Sequence, residues 1–138
     1  MGRLIGIDFG GKRTGLSETD DFQIIASPLK TVPTSELDDF LFQYIENKKV
    51  EAIVVGKALR WSGEENPIET EIKSFIERLQ KKFPTLPIYR QDESGSSKQA
   101  MESMVVGGMK KSNRRKKENV DLISAVIILQ NYLEEKSR

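Results

Sequence analysis

The chain has 138 residues (15.7 kDa), 37% hydrophobic and 31% charged, with a net charge of +1 and negative mean hydropathy. This composition predicts one compact domain spanning 1–138. No apolar run approaches the roughly 20 residues of a membrane-spanning helix, and Asp8 comes too early for a signal-peptide core, so a cytoplasmic protein without membrane attachment is expected.

The opening run Leu4-Ile5-Gly6-Ile7-Asp8-Phe9, closed by Gly10-Gly11, predicts a strand and a turn. Thr14 to Thr19 suits a returning strand of a hairpin, Asp20-Asp21 marks a turn, and Phe22 to Ser27 predicts a third strand before Pro28. Thr34-Ser35-Glu36 then offers N-capping hydroxyls to a helix with the stripe Leu37, Phe40, Leu41, Tyr44 and Ile45. Ala52-Ile53-Val54-Val55-Gly56 reads as a strand buried on both faces. Asn66-Pro67 with Glu69 predicts a helix start, followed by Ile68, Ile72, Phe75, Ile76, Leu79 and Phe83 at helical spacing.

Residues 87–93 predict a fifth short strand ending in Asp92-Glu93. A Ser-rich turn leads to a Met-rich helix (Ala100, Met101, Met104, Val105) stopped by Gly107-Gly108, and Asn119 caps a final helix running to about Leu133. The order βββαβαβαα implies an α/β fold: a mixed five-stranded sheet flanked by helices.

The chain has no Cys and no His. That excludes disulfides, thiol nucleophiles, zinc ribbons, Ser-His-Asp triads and imidazole bases. A metal must therefore be held by oxygen ligands, which suit hard cations such as Mg2+ or Mn2+.

Charge is unevenly spread. Residues 1–109 carry 14 basic and 17 acidic side chains, whereas residues 110–117 carry six basic side chains (Lys110, Lys111, Arg114, Arg115, Lys116, Lys117) and no acid. So dense a cationic segment in a nearly neutral chain points to nucleic acid ahead of a merely solvated loop.

Three acids occupy informative places. Leu4, Gly6 and Asp8 share one face of the first strand, Glu93 closes the fifth, and Asp121 is in helical register with Ala125, Ile128 and Tyr132. Singly, each has an ordinary reading as a turn residue, a solvated strand exit or a helix-dipole partner. Together they fit the rule that open α/β sheets place sites at strand carboxyl ends. Converging carboxylates repel unless a cation lies between them, so the trio predicts bound Mg2+ or Mn2+, as a pair of ions acting on a phosphodiester.

Ile5 to Leu16, with Asp8, Gly10-Gly11-Lys12-Arg13 and Gly15, resembles the opening signature of the YqgF/RuvX family of RNase H-like nucleases. Val54-Val55-Gly56 with Gly63, Asp92-Glu93 with Ser96-Ser97 and Ala100, and Arg115-Lys116 followed by Val120-Asp121, Ser124-Ala125 and Ile128-Leu129-Gln130 are similar to its later motifs, in order and across nearly the whole chain. The resemblance implies an RNase H-like fold with Asp8, Glu93 and Asp121 as metal-binding catalytic acids. It also implies nuclease activity in 5′-end maturation of pre-16S rRNA, with Holliday junction resolvase-like DNA cleavage as the near alternative; the latter favours a homodimer, because two strands are cut. Lys12, Arg13, Lys98 and the 110–117 cluster become candidates for backbone phosphate contacts.

Two departures bear on this. Ser94-Gly95 stands where the family usually has Arg after the Glu, and Lys57-Ala58-Leu59-Arg60-Trp61 lacks the Pro expected after Val54-Val55-Gly56. The first favours a competing reading, a nucleic-acid-binding module that cuts weakly, and shifts phosphate binding toward Lys98 or Arg114. Trp61 suits either base stacking or packing in its loop. An actin-type phosphate-binding fold shares the Asp-x-Gly opening but needs a second domain, for which 138 residues leave no room.

Overall fold

A computed structural model describes residues 2–57, 67–92 and 117–136. Its elements are β1 (Arg3–Asp8), β2 (Arg13–Thr19), β3 (Ala26–Pro33), a 3-10 turn (Thr34–Glu36), α1 (Leu37–Asn47), β4 (Val50–Lys57), α2 (Glu69–Lys82), β5 (Ile88–Asp92) and α3 (Lys117–Lys136). They form one mixed sheet in the order β3-β2-β1-β4-β5. β1 pairs antiparallel with β2, and β2 with β3, whereas β4 runs parallel to both β1 and β5. The Met-rich helix expected near 100–105, and Trp61, Ser94 and Gly95, lie outside the described residues.

Strand alternation divides the core into two layers. Ile5, Ile7, Phe9, Ile53 and Val55 pack with Leu37 and Leu41 of α1 and Ile72, Phe75 and Leu79 of α2. Leu4, Ala52 and Val54 point the other way, onto Ile128 and Leu129 of α3. The run Ala52–Val55 is buried throughout, as a strand covered on both faces must be. Among the described residues, no helix is long and apolar enough to cross a membrane.

The third strand is displaced from its predicted position. Asp20 accepts the backbone N–H groups of Phe22, Ile24 and Ile25, with Oδ1 at 2.9 Å from Ile24 and 2.8 Å from Ile25. Those donors are thereby withdrawn from any ladder, and Gln23 takes a positive φ of 59°. Phe22, Ile24 and Ile25 are left exposed, and the strand begins only at Ala26. It includes Pro28, which an edge strand tolerates, and the β2–β3 register shifts beside it, between Leu16 and Ser17.

The helix starts differ as well. Neither α1 nor α2 has a side-chain cap. Thr34 Oγ1 instead donates to the Gly10 carbonyl at 2.6 Å and lies 2.9 Å from Thr14 Oγ1, while Thr34 N–H reaches the Lys12 carbonyl at 2.9 Å. The expected capping hydroxyl thus braces the β1–β2 turn. Asn119 lies inside α3, which already runs from Lys117.

Candidate active site

The carboxyl end of β1 delivers Asp8 to the edge of the α3-facing row that starts with Leu4 and Gly6. Across the antiparallel ladder Asp8 faces Gly15 of β2. Opposed residues direct their side chains to the same face with Cα atoms roughly 4.5–5.5 Å apart. Gly15 has no side chain, and α3 occupies the place of one: a Cβ there would lie 2.2 Å from the Asp121 carbonyl oxygen and 3.1 Å from the Asp121 Cβ. The helix therefore touches down on the residue opposite Asp8, and it does so at Asp121.

The approach is set one step further along by Gly6. A Cβ at Gly6 would meet Ser17 Oγ at 2.3 Å, the Ala125 carbonyl at 3.0 Å and Leu129 Cβ at 3.1 Å. Ser17 Oγ donates to the Ala125 carbonyl at 2.7 Å in the buried interface. Asp121 is the fifth residue of α3, in the second turn, and its side chain is 16% exposed. Ala125 and Ile128 in the same register are fully buried. Two of the three predicted acids are thus brought together from positions 113 residues apart.

Glu93 follows the last residue of β5 and lies outside the described residues. On β5, Tyr89 and Gln91 belong to the α3 side: Tyr89 stacks on Tyr132 with centroids 5.5 Å apart, and Gln91 Nε2 donates to Glu135 Oε1 at 3.2 Å. Position 93 is the next of that parity in the sequence. β5 stands two strands from β1, roughly 10 Å away at the usual strand spacing. Among the described residues, no three acids are gathered into a metal-ligand cluster.

The predicted cations fall in different places. Lys12 is exposed in the β1–β2 turn. Arg13 opens β2 on the same face as Gly15, with Nε 3.7 Å from Asp121 Oδ2. Lys98, Lys110, Lys111, Arg114, Arg115 and Lys116 lie outside the described residues; Lys117 is the first residue of α3.

Sequence reading missed a buried ion pair at this end of the sheet. Glu69, 2% exposed, accepts from Arg90 at 2.8 Å, and the same Arg90 nitrogen donates to the Gly56 carbonyl at 2.9 Å. The pair ties the start of α2 to the exits of β4 and β5. Its members are 21 residues apart, and its one sequence signal is an Arg in the middle of a short strand.

The donor set suits a hard divalent cation. It consists of carboxylate oxygens, two of them on neighbouring backbone segments facing the same way. The residues so placed are Asp8 and Asp121, with Glu93 as the third acid in sequence.

Comparison with known proteins bears on the whole chain. The family described as "RuvX: Holliday junction resolvase" matches residues 2–135. A relative from Amoebophilus asiaticus is 49% identical over 100% of this chain and 98% of its own, and one from Porphyromonas gingivalis is 44% identical over 100% of both; each is named "Putative pre-16S rRNA nuclease". Among solved structures, Thermus thermophilus RuvC in complex with a Holliday junction substrate superposes with a TM-score of 0.63 at 14% identity, covering 99% of this chain and 96% of that one. The fowlpox virus Holliday junction resolvase gives 0.57 at 9% identity, covering 96% and 99%. The fold is that of the RuvC-type, RNase H-like resolvases.

Proposed function

The chain belongs to the RuvX Holliday junction resolvase family, and from that premise we propose that it hydrolyses phosphodiester bonds of structured nucleic acid, in 5′-end maturation of pre-16S rRNA in the cytoplasm. The observation that carries the reading is the seat of α3 on Gly15, which sets Asp121 beside the residue opposite Asp8. The relatives' names supply the substrate class.

Asp8, Asp121 and Glu93 would hold the divalent ions. A bound pair of such ions lowers the pKa of the attacking water and stabilises the charge on the leaving oxygen. The remaining work falls to this chain. The Thr14–Thr34 contact fixes the turn after Asp8. Lys12, exposed at that turn, offsets phosphate charge, and the 110–117 cluster holds the flanking backbone with Lys98. Single-domain organisation over 1–138 fits two layers of side chains packed on one sheet.

The test is cleavage, with Mn2+ present, of an RNA spanning the 5′ end of 16S rRNA and of a synthetic four-way DNA junction. Wild type should cut the RNA, and Asp8→Asn and Asp121→Asn should abolish cutting while leaving the protein folded. Equal cutting by wild type and Asp8→Asn would end the nuclease reading. Preference for the DNA junction would establish the resolvase alternative, which the likeness to RuvC favours and which calls for a homodimer. Tight binding of both substrates without cutting would identify a binding module.

A further inference from the structure

Among the described residues, Arg13 lies within ion-pair distance of Asp121, and its environment is incomplete. It begins β2 and, two residues before Gly15, leaves the sheet on the α3 side. Its Nε is buried, yet makes no hydrogen bond. The 3.7 Å to Asp121 Oδ2 is an ion-pair distance too long for a hydrogen bond. A guanidinium normally spends its donors on bidentate partners. Here one buried donor has been taken from water without a compensating acceptor, a cost of the kind that persists where a ligand supplies what is missing.

Charge sharpens the point. Asp121 is the carboxylate that, on the reading above, holds a divalent ion, and Arg13 already lies against it. A divalent ion at that carboxylate would repel a guanidinium held only by charge and by no hydrogen bond. We propose that Arg13 is an internal counter-ion of Asp121, that a divalent ion displaces it, and that the displaced guanidinium turns its unmet Nε donor to the substrate phosphate. The acids thus keep a counter-charge before metal arrives, and the phosphate-binding group becomes available only once metal is in place. The inference rests on Asp121 being a metal ligand.

The test measures Mn2+ binding by calorimetry separately from cleavage. Arg13→Met should tighten Mn2+ binding at least about fivefold, the least expected from removing a unit charge about 4 Å away in water-like surroundings. The same variant should cut more slowly and bind the DNA junction with a log–log salt slope shallower by about one. Arg13→Gln should behave alike, guarding against a fault peculiar to Met, and Arg13→Lys should restore wild-type Mn2+ affinity. Opposite movements of metal affinity and cleavage are not produced by a merely structural role. Unchanged or weaker Mn2+ binding in both neutral variants, against a wild type that binds, overturns this inference alone. A wild type that binds no Mn2+ overturns the metal reading as well.

Discussion

Gly15→Ala tests the central geometry. A methyl group there would stand 2.2 Å from the Asp121 carbonyl oxygen and 2.5 Å from its carbon, where ordinary contact begins near 3.4 Å. The obstacle is helix backbone, which has no rotamer to change, so α3 must withdraw by at least about 1 Å. Forcing such an intrusion into a packed interface costs roughly 1–3 kcal/mol. For a chain of this size that lowers Tm by roughly 3–12 °C. The functional loss should be larger than the stability loss suggests, because a misplacement of about 1 Å costs on the order of 100-fold in rate.

Leu41→Ala is the control. Leu41, on α1, is fully buried on the opposite side of the sheet from α3, in the cluster with the α2 residues, so its loss costs about 2–5 kcal/mol without moving α3. At a temperature where both variants are folded, Gly15→Ala should lose Mn2+ affinity and cleavage while Leu41→Ala keeps them. Wild-type Mn2+ affinity and cleavage in Gly15→Ala would refute the reasoning, as would equal losses in the two variants.

Three further outcomes are expected. Gly6→Ala should be rescued in part by Ser17→Ala, since the closest obstacle is Ser17 Oγ at 2.3 Å; a double-mutant cycle on Tm-derived stabilities should show coupling of about 0.5–3 kcal/mol, and additivity would contradict the contact. Arg90→Met should cost about 3–5 kcal/mol by leaving the Glu69 carboxylate buried and unpaired, whereas Arg90→Met with Glu69→Met should recover most of that in urea unfolding. Backbone N–H groups of Ile25 and then Ile24 hold the Asp20 carboxyl below its ordinary range. Its contribution is present above that range and lost as pH falls through the lowered value. The Tm deficit of Asp20→Ala against wild type should therefore shrink on acidification, and a deficit independent of pH would show that the charge contributes nothing.

Much of the architecture was legible because it follows from local periodicity. The α1 and α2 stripes, the doubly buried β4 and the parity of Leu4, Gly6 and Asp8 each depend on residues a few positions apart. The register of Asp121 with Ala125 and Ile128 was readable for the same reason. What escaped were contacts in which a polar side chain redirects the backbone or finds a distant partner. Asp20 turned an apolar run into a loop. Thr34 braced the β1–β2 turn instead of capping a helix. Arg13 and Glu69 met partners 108 and 21 residues away. No periodicity encodes such pairs.

The seat of α3 explains how a fold held mainly by apolar packing places carboxylates accurately. Apolar side chains on facing elements tolerate repacking, and the gap between a helix and a sheet shifts with their volumes. Here the gap is set instead by Gly6 and Gly15, on neighbouring strands of one face, and by the hydrogen bond from Ser17 to the Ala125 carbonyl. At Gly15 helix backbone meets sheet backbone, with no side chain between whose rotamer could widen the approach, and at Gly6 the one intervening group is the Ser17 hydroxyl, bonded to the helix. On the proposed function Asp8 and Asp121 must be held to within about 0.5 Å, which backbone contact achieves more readily than a layer of leucines. A chain with the same hydrophobic pattern but larger residues at 6 and 15 should still build the sheet. It would carry α3 farther out, and Asp121 would leave Asp8.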